Sequence, residues 1–313
     1  MPKDALTGEE RGMKKARISP TPQRRTVQKN KAWAAVPILT ASVAMGLPAQ
    51  AQVAADALPT GGVVAAGSAA ISSSGAQMQI NQSSDRAAIN WNSFNIGSGA
   101  KVQVNQPGSS SVLLNTILGG NASQIFGSLS ANGQVFLVNP AGVYFAPGAR
   151  ADVGGIVAST MKVDLAEFMA GRNVFTRGTS TGSVVNEGTL QAAIDGYVAL
   201  LAPEVRNQGV IIAPAGTVVL AAGDRITLQL SGSKMLDVGV DPATADTLVS
   251  SGQVIQAPDG TVVMTAKAAN ALFNSAINVQ GVIAANSLVD HGGVIRLEGA
   301  RDITVNASLD VSG

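Results

Sequence analysis

Beyond residue 60 the chain is a succession of short apolar runs with polar residues between them. Gly, Asn, Asp and Pro punctuate the runs. One pattern, Gly-x-Val/Ile-x-Leu/Met, occurs as Gly133-Gln-Val-Phe-Leu137, Gly196-Tyr-Val-Ala-Leu200, Gly216-Thr-Val-Val-Leu220, Gly260-Thr-Val-Val-Met264 and Gly293-Val-Ile-Arg-Leu297. A second pattern, a Gly followed by a short apolar run ending at Ala, occurs as Asn186-Glu-Gly-Thr-Leu-Gln-Ala192, Asn207-Gln-Gly-Val-Ile-Ile-Ala213 and Gly281-Val-Ile-Ala-Ala285. Alternation of period two predicts strands, with Val198/Leu200, Val218/Leu220 and Val262/Met264 pointing inward and their neighbours outward. Asn186 and Asn207 are 21 residues apart, Gly196 and Gly216 are 20 apart, and Gly216 and Gly260 are 44 apart, close to two periods.

A period near 21 predicts an all-β fold, a right-handed parallel β-helix (solenoid) whose coils hydrogen-bond to one another. An antiparallel sandwich has no reason to keep such a period. At the strand spacing of about 4.8 Å, the chain beyond residue 51 amounts to roughly twelve rungs and a rod on the order of 60 Å. Asn186 and Asn207 are placed to stack as an amide ladder at a turn. Leu165 to Ala170 is the one helical candidate in this part of the chain. The segment Val63 to Asn105 departs from the repeat and reads as an N-terminal β cap, since solenoid ends need covering. Within it, the alternation of Ile89-Asn-Trp91 and Phe94-Asn-Ile96 slips phase at Ser93, which suggests a bulge. The final strands, Ile303-Thr-Val305 and Leu309-Asp-Val311, show no capping sign. That end is the front of a longer protein, is covered by a partner, or frays.

Composition supports a packed structure with few chemical options. Of 313 residues 46% are hydrophobic and 13% charged, outside the range of disordered chains. Cys is absent, which removes disulfides, thiolate metal sites and cysteine nucleophiles. The single His, His291, precedes Gly292-Gly293 and reads as a turn residue. No cofactor and no metal site is expected.

The net charge of +1 hides an asymmetry: residues 1–31 carry nine Lys or Arg against three acids. That basic stretch leads into Trp33 to Leu47, uncharged and mostly apolar, and then Ala49-Gln-Ala51. The order is that of a secretory signal peptide with an extended basic n-region, residues 1–51, cleaved after Ala51. The apolar run is short of the ~20 residues of a membrane span and contains Pro37, so no transmembrane anchor is expected. With the positive charge in the leader, nucleic acid is not an expected partner. Two readings of the missing Cys stay open for an exported chain: freedom to remain unlocked while crossing a further barrier, or a regular core that needs no disulfides.

Between Leu113 and Thr160 the sequence runs LLNTILGGNASQIFGSLSANGQVFLVNPAGVYFAPGARADVGGIVAST, preceded by Ile89-Asn-Trp91-x-x-Phe94-x-Ile96-Gly97 and followed by Phe168-Met-Ala-Gly-Arg172-Asn-Val-Phe175. This block resembles the N-terminal two-partner secretion domain of filamentous haemagglutinin-like exoproteins of Gram-negative bacteria, over roughly Gly61 to Phe175. The most specific part is Ala131 to Val143. The family's Asn-Pro-Asn-Gly motif stands here as Asn139-Pro140-Ala141-Gly142, and no separate Asn-Pro-Asn-Leu element is present.

Physically the motif is a tight turn: Asn bonds its own backbone, Pro fixes φ, and Gly suits the last position. A rigid exposed corner of this kind serves as a joint between rungs. The resemblance adds a role in secretion, by folding or by recognition. It also implies an outer-membrane transporter as partner, secretion to the medium or cell surface via the periplasm, and an adhesin or haemagglutinin-like role. A host cell-surface ligand or a neighbouring cell would be the further partner. The expected organisation is residues 52–175 as cap and secretion domain and 176–313 as β-helix repeats that continue beyond the chain or end with it. The alternative is a secreted β-helical polysaccharide lyase or hydrolase, which needs convergent carboxylates. The densest acids, Asp237, Asp241 and Asp246, flank Gly239 and Pro242 and read as a loop. Gly119-Gly120 and Gly154-Gly155 lack the Lys and spacing of a phosphate loop. No catalytic residue is assigned and the chain is read as not an enzyme.

Overall fold

The computed structural model describes residues 53–244, 246–266, 275–286, 293–299 and 302–312. The expected signal peptide, its cleavage point and His291 lie outside them. The described chain winds as a parallel β-helix with three faces. The first face holds nine strands, from Val63–Ala66 through Gln134–Val138, Gly155–Ser159, Tyr197–Leu201, Thr217–Ala222 and Thr261–Ala266 to Val294–Gly299. The second face holds seven, from Ser123–Ile125 to Asp302–Val305, and the third holds ten, from Ala69–Ser74 to Ser308–Asp310. The sheets run without interruption across residue 175.

The repeat has a steric cause. At the corner entering the first face, successive coils approach so closely that a Cβ on Gly196 would lie 2.1 Å from Gly154 O, one on Gly216 2.2 Å from Gly196 O, and one on Gly260 2.3 Å from Gly216 O. Glycine is the only residue that fits this column. It locks the register, so Val198 pairs with Val218 and Leu200 with Leu220, and these in turn with Val262 and Met264. All six are fully buried in one aliphatic core, each contributing about 1.5–3 kcal/mol by burial.

The expectation of twelve rungs is corrected. Thr217 pairs directly with Thr261, so the long spacing from Gly216 to Gly260 is one coil with an insertion. Likewise Ser159 Oγ donates to Leu201 O at 3.0 Å across 42 residues. The first strand of the first face pairs antiparallel and the remainder parallel, which leaves about eight coils and a length on the order of 40 Å.

The outward positions of the first face point away from the main core, as expected, but they are covered. Two insertions cover them with a four-stranded antiparallel sheet of Lys162–Val163, Asn173–Thr176, Arg225–Ser231 and Lys234–Asp241, in which Asn173 pairs with Leu228. Phe136, Val138, Val157, Tyr197, Leu201 and Val219 pack beneath it against Phe168, Phe175, Ile226 and Leu228 in a second core. The reason is the usual one for parallel sheets, which are stable with both sides covered. Phe136 sits 5.8 Å, centroid to centroid, from each of Phe168 and Phe175.

Phe168 arrives on the one-turn helix Leu165–Met169, whose N-cap Asp164 accepts from Glu167 N–H at 2.8 Å. Two polar ties pin the cover. Arg86 lies 4.1 Å over the Phe168 ring and donates to Asn173 Oδ1 at 2.7 Å. Tyr197 OH donates to Gln134 Oε1 at 2.5 Å while Gln134 Nε2 donates to Gly232 O at 2.8 Å. Burial holds the Tyr197 hydroxyl far above the usual tyrosine range and lowers the Arg86 guanidinium.

At the N-terminal end, Val63–Ala66 lies antiparallel on Arg86–Trp91, and Ala69–Ser74 on Gln77–Gln82, closing the first coil as a cap. Trp91 stacks edge-on against Phe94 at 5.4 Å and donates Nε1–H to Asn115 Oδ1 at 3.0 Å. The slip at Ser93 is a corner where the chain leaves the first face, bridged to Thr60, and the register irregularity lies between Val64 and Ala66 instead. Among the described residues, no helix is long and apolar enough to cross a membrane.

Two outcomes test the cores. Leu220→Asp places an unpaired charge among fully buried side chains and should cost several kcal/mol, read as a large drop in thermal midpoint. Phe136→Ala should cost about 3–5 kcal/mol, as for a buried aromatic, whereas an outward Phe136 facing water would lose under about 0.5 kcal/mol. Denaturant titration of both variants separates these cases.

Candidate functional site

The Asn139–Gly142 turn joins the first-face strand Gln134–Val138 to the second-face strand Val143–Phe145. The chain reverses there because Pro140 brings a fixed φ and no N–H, while Gly142 takes φ +133°, a conformation that L side chains rarely adopt. Gly142 N–H donates to Asn139 O at 3.0 Å and Ala141 N–H to Asn139 Oδ1 at 3.0 Å, closing the turn from backbone and side chain together.

Asn139 also ties three coils. Its Nδ2 donates to Asn121 O and Ser123 Oγ, both at 3.0 Å, in the preceding coil, and its N–H donates to Ser159 O at 2.9 Å in the next. Pro140 O accepts from Ser180 Oγ at 3.1 Å.

The expected exposed corner is therefore corrected in detail. Asn139 is fully buried, Gly142 is buried, Pro140 is half-buried, and Ala141 alone of the four is exposed. The cause is stacking: the chain around Asn121 and Ser180–Gly182 packs on either side, and a Cβ on Gly182 would meet Pro140 O at 2.6 Å. Ala141, which stands where the family motif has Asn, is the position where a side-chain change is least felt by the fold.

The amide ladder expected at Asn186 and Asn207 is present and buried. Asn186 Nδ2 donates to Asn207 Oδ1 at 2.8 Å, and Asn207 Nδ2 reaches Ser251 Oγ at 3.3 Å. It stitches the corner between the second and third faces.

Asp237 and Asp241 lie on the strand Lys234–Asp241 of the cover hairpin and not in a loop. Both side chains are exposed on the side away from Val238, so they do share a strand face. Asp246 sits apart, at the entry to the second-face strand Thr247–Ser251. Among the described residues no three His, Cys, Asp or Glu converge on a metal position. Gly154-Gly155 serve packing: a Cβ on Gly155 would press on the Tyr197 ring at 2.9 Å.

Sequence reasoning missed Arg86, Gln134 and Asn173, whose roles depend on insertions folding back over the first face. It also missed the pair Phe126 and Tyr144 on the outer side of the second face, with ring centroids 6.1 Å apart. Tyr144 OH donates to Glu187 Oε2 at 2.5 Å, and burial first, then this bond, push its hydroxyl up to about 12.

Comparison with known proteins matches this architecture closely. The chain is 35% identical over 263 residues to a heme/hemopexin-binding protein of Haemophilus influenzae strain Rd, covering 82% of this chain and 29% of that protein. A second heme/hemopexin-binding protein of Haemophilus influenzae is 43% identical over 112 residues, 36% of this chain and 12% of the relative. The chain thus spans less than a third of the curated relatives it matches. The crystal structure of the HMW1 secretion domain from Haemophilus influenzae superposes with a TM-score of 0.72 at 26% identity, over 81% of this chain and 73% of that one. The TPS secretion domain model matches residues 55–310, well past the block from Gly61 to Phe175 and through all the coils described above. With its three-faced coil, its capped first turn and the buried Asn139 corner all inside that match, the chain belongs to the TPS secretion domain family of two-partner secretion exoproteins.

Proposed function

We propose that this chain is read in the periplasm by a dedicated outer-membrane transporter, which carries it out of the cell. The observation that carries the reading is the family match over residues 55–310. An N-terminal export signal in residues 1–51 would bring the chain to the periplasm first. The Asn139 corner takes part by folding: its side chain is spent on its own turn and the preceding coil, its N–H on the next coil, and little is left to offer a partner. The segment is read as non-catalytic, with Asp237 and Asp241 as solvated positions on the cover hairpin.

For the exoprotein as a whole we propose a binding role outside the cell. The haemagglutinin-like resemblance favours adhesion, while the 35% identity to a heme/hemopexin-binding protein favours capture of heme or its carrier. The second is preferred, because it rests on a relative aligned over 82% of this chain. Hemopexin-coated resin against cell-surface extracts decides between them, since an adhesin without that activity would not be retained.

Co-expression of residues 1–313 with and without the cognate transporter tests the transport reading. Protein should accumulate in the medium only when the transporter is present, and equal release in both cultures would sink it. Asn139→Ala leaves the Ala141 N–H and the Asn121 carbonyl without their partner and should cost about 1–3 kcal/mol, lowering release in proportion to the folded fraction. Ala141→Arg should leave both the melt and the release unchanged. A loss of release from Ala141→Arg without a loss of stability would instead make the corner a recognition element.

A further inference from the structure

Each coil of this fold gives its backbone N–H groups to the coil before it. At the corner between the second and third faces, Gly127 N–H donates to Ile96 O and Ser128 N–H to Ala100 O, both at 3.1 Å. One coil further on, Ala146 N–H donates to Ile125 O at 2.8 Å, and beyond that Thr189 N–H donates to Ala149 O at 2.9 Å. The first coil has no coil before it. Its first face is closed by Val63–Ala66 and its third by Ala69–Ser74, but the sheet of the second face begins only at Ser123–Ile125.

Residues 54–60 supply what a preceding coil would supply at that corner. Gly97 N–H donates to Ala57 O at 2.9 Å and Gly99 N–H to Ala55 O at 2.8 Å. Thr60 N–H donates to Ser93 O and Asn92 N–H to Thr60 O, both at 2.9 Å. Pro59 is buried and Leu58 packs against the main core. The fit is close: a Cβ on Gly97 would lie 2.1 Å from Ala54 O, and the other atoms nearest to it belong to Ala55. Ala57 N–H donates to Ala54 O at 3.0 Å, so the segment enters the corner as a tight turn.

Only Gln52 and Val53 separate this segment from the expected cut. The cut adds water across the Ala51–Gln52 peptide bond, leaving a carboxylate on the leader and an amine on Gln52. A protease must enclose the bond it hydrolyses. The chain from Ala51 to Ala54 spans at most about 10 Å, so a docked segment would hold the folded corner in the space the enzyme has to occupy.

We propose that residues 54–60 are a strap whose docking on Gly97 and Gly99 and the removal of the leader after Ala51 exclude one another. The inference rests on the export-signal reading above and adds an order to it: the cut comes first and the first coil closes afterwards. Until the cut, the carbonyls of Ala55 and Ala57 are withheld from the corner, and the edge of the core beneath Leu58 stays open.

The test uses the full chain, residues 1–313, refolded with its leader and mixed with a signal peptidase in detergent. Product mass and N-terminal sequencing follow the cut. Gly97→Ala, whose added methyl meets the strap first, should be cut about tenfold or more faster than the folded parent, because proteolysis follows the population of the open form. A Gly/Ser spacer of about ten residues after Val53, with a reach of about 17 Å, should also be cut fast, with the strap still docked. Hydrogen exchange at positions 97 and 99 separates the two: fast in Gly97→Ala, slow in the spacer chain. The spacer changes no contact of the strap, so it carries the test even where Gly97→Ala fails to fold. A spacer chain cut no faster than the folded parent would overturn the exclusion, as would fast cutting of a parent whose amides at 97 and 99 stay protected. A chain that stays uncut after Ala51 even when diluted unfolded into the peptidase would overturn the leader reading itself, and the exclusion with it.

Discussion

The closeness of one coil to the next governs this protein. Inter-coil hydrogen bonds hold the backbones at strand spacing, and at the corner before the first face that spacing leaves no room for a Cβ between Gly154, Gly196, Gly216 and Gly260. A glycine at each passage fixes where every coil begins its strand. Once that point is fixed, period two decides which side chains enter the core. A one-residue slip would bring Tyr197, Ala199 and Leu201 inward and drive Val198 and Leu200 out, with a glycine no longer meeting a glycine. Steric exclusion and hydrophobic patterning thus enforce one register.

The second core obeys a different rule. Its first-face half comes from the repeat, but its other half comes from two insertions that belong to different coils. Their joining residues are not apolar: Arg86 and Asn173 meet across the edge of the cluster, and Gln134 links Tyr197 to the hairpin tip at Gly232. Arg86 keeps its charge in a half-buried place by lying on the Phe168 ring and by donating to a neutral amide. The polar ties specify where the cover sits, while the rings beneath it provide the burial.

Legibility followed periodicity. Strands with a Gly signal and alternation, such as Thr217–Ala222, were readable along with their inward residues, and the Asn186–Asn207 ladder followed from spacing alone. The short helix after Asp164 was readable as the one helical candidate in this part of the chain. The coil count was not, because Gly216 to Gly260 is close to two periods and yet spans a single coil carrying a hairpin. The cover was legible only in part: Val135-Phe-Leu-Val138 has no polar alternation, which signals burial on both sides, but nothing local names what lies above it. The corner at Asn139 was readable as a turn from its residue types. Its burial was not, since that depends on Asn121, Ser123 and Ser180 in neighbouring coils.

The pairing of the two insertions sets an order of assembly. Contacts between coils close short spans, 21 residues for Asn186 to Asn207, whereas the tie from Gln134 to Gly232 closes 98. Loop-closure entropy makes the longer span dearer by only about 1.4 kcal/mol, so the cover is not thermodynamically demanding. Its constraint is temporal. A chain that emerges from its N-terminus can lay coil upon coil as each strand appears, but Asn173 has no Leu228 to pair with until both strands are out. Until then the first insertion alone, with Phe168 and Phe175, lies over Phe136. The solenoid can extend coil by coil, whereas the cover over its apolar flank is complete only once residues 225–241 have followed residues 162–176.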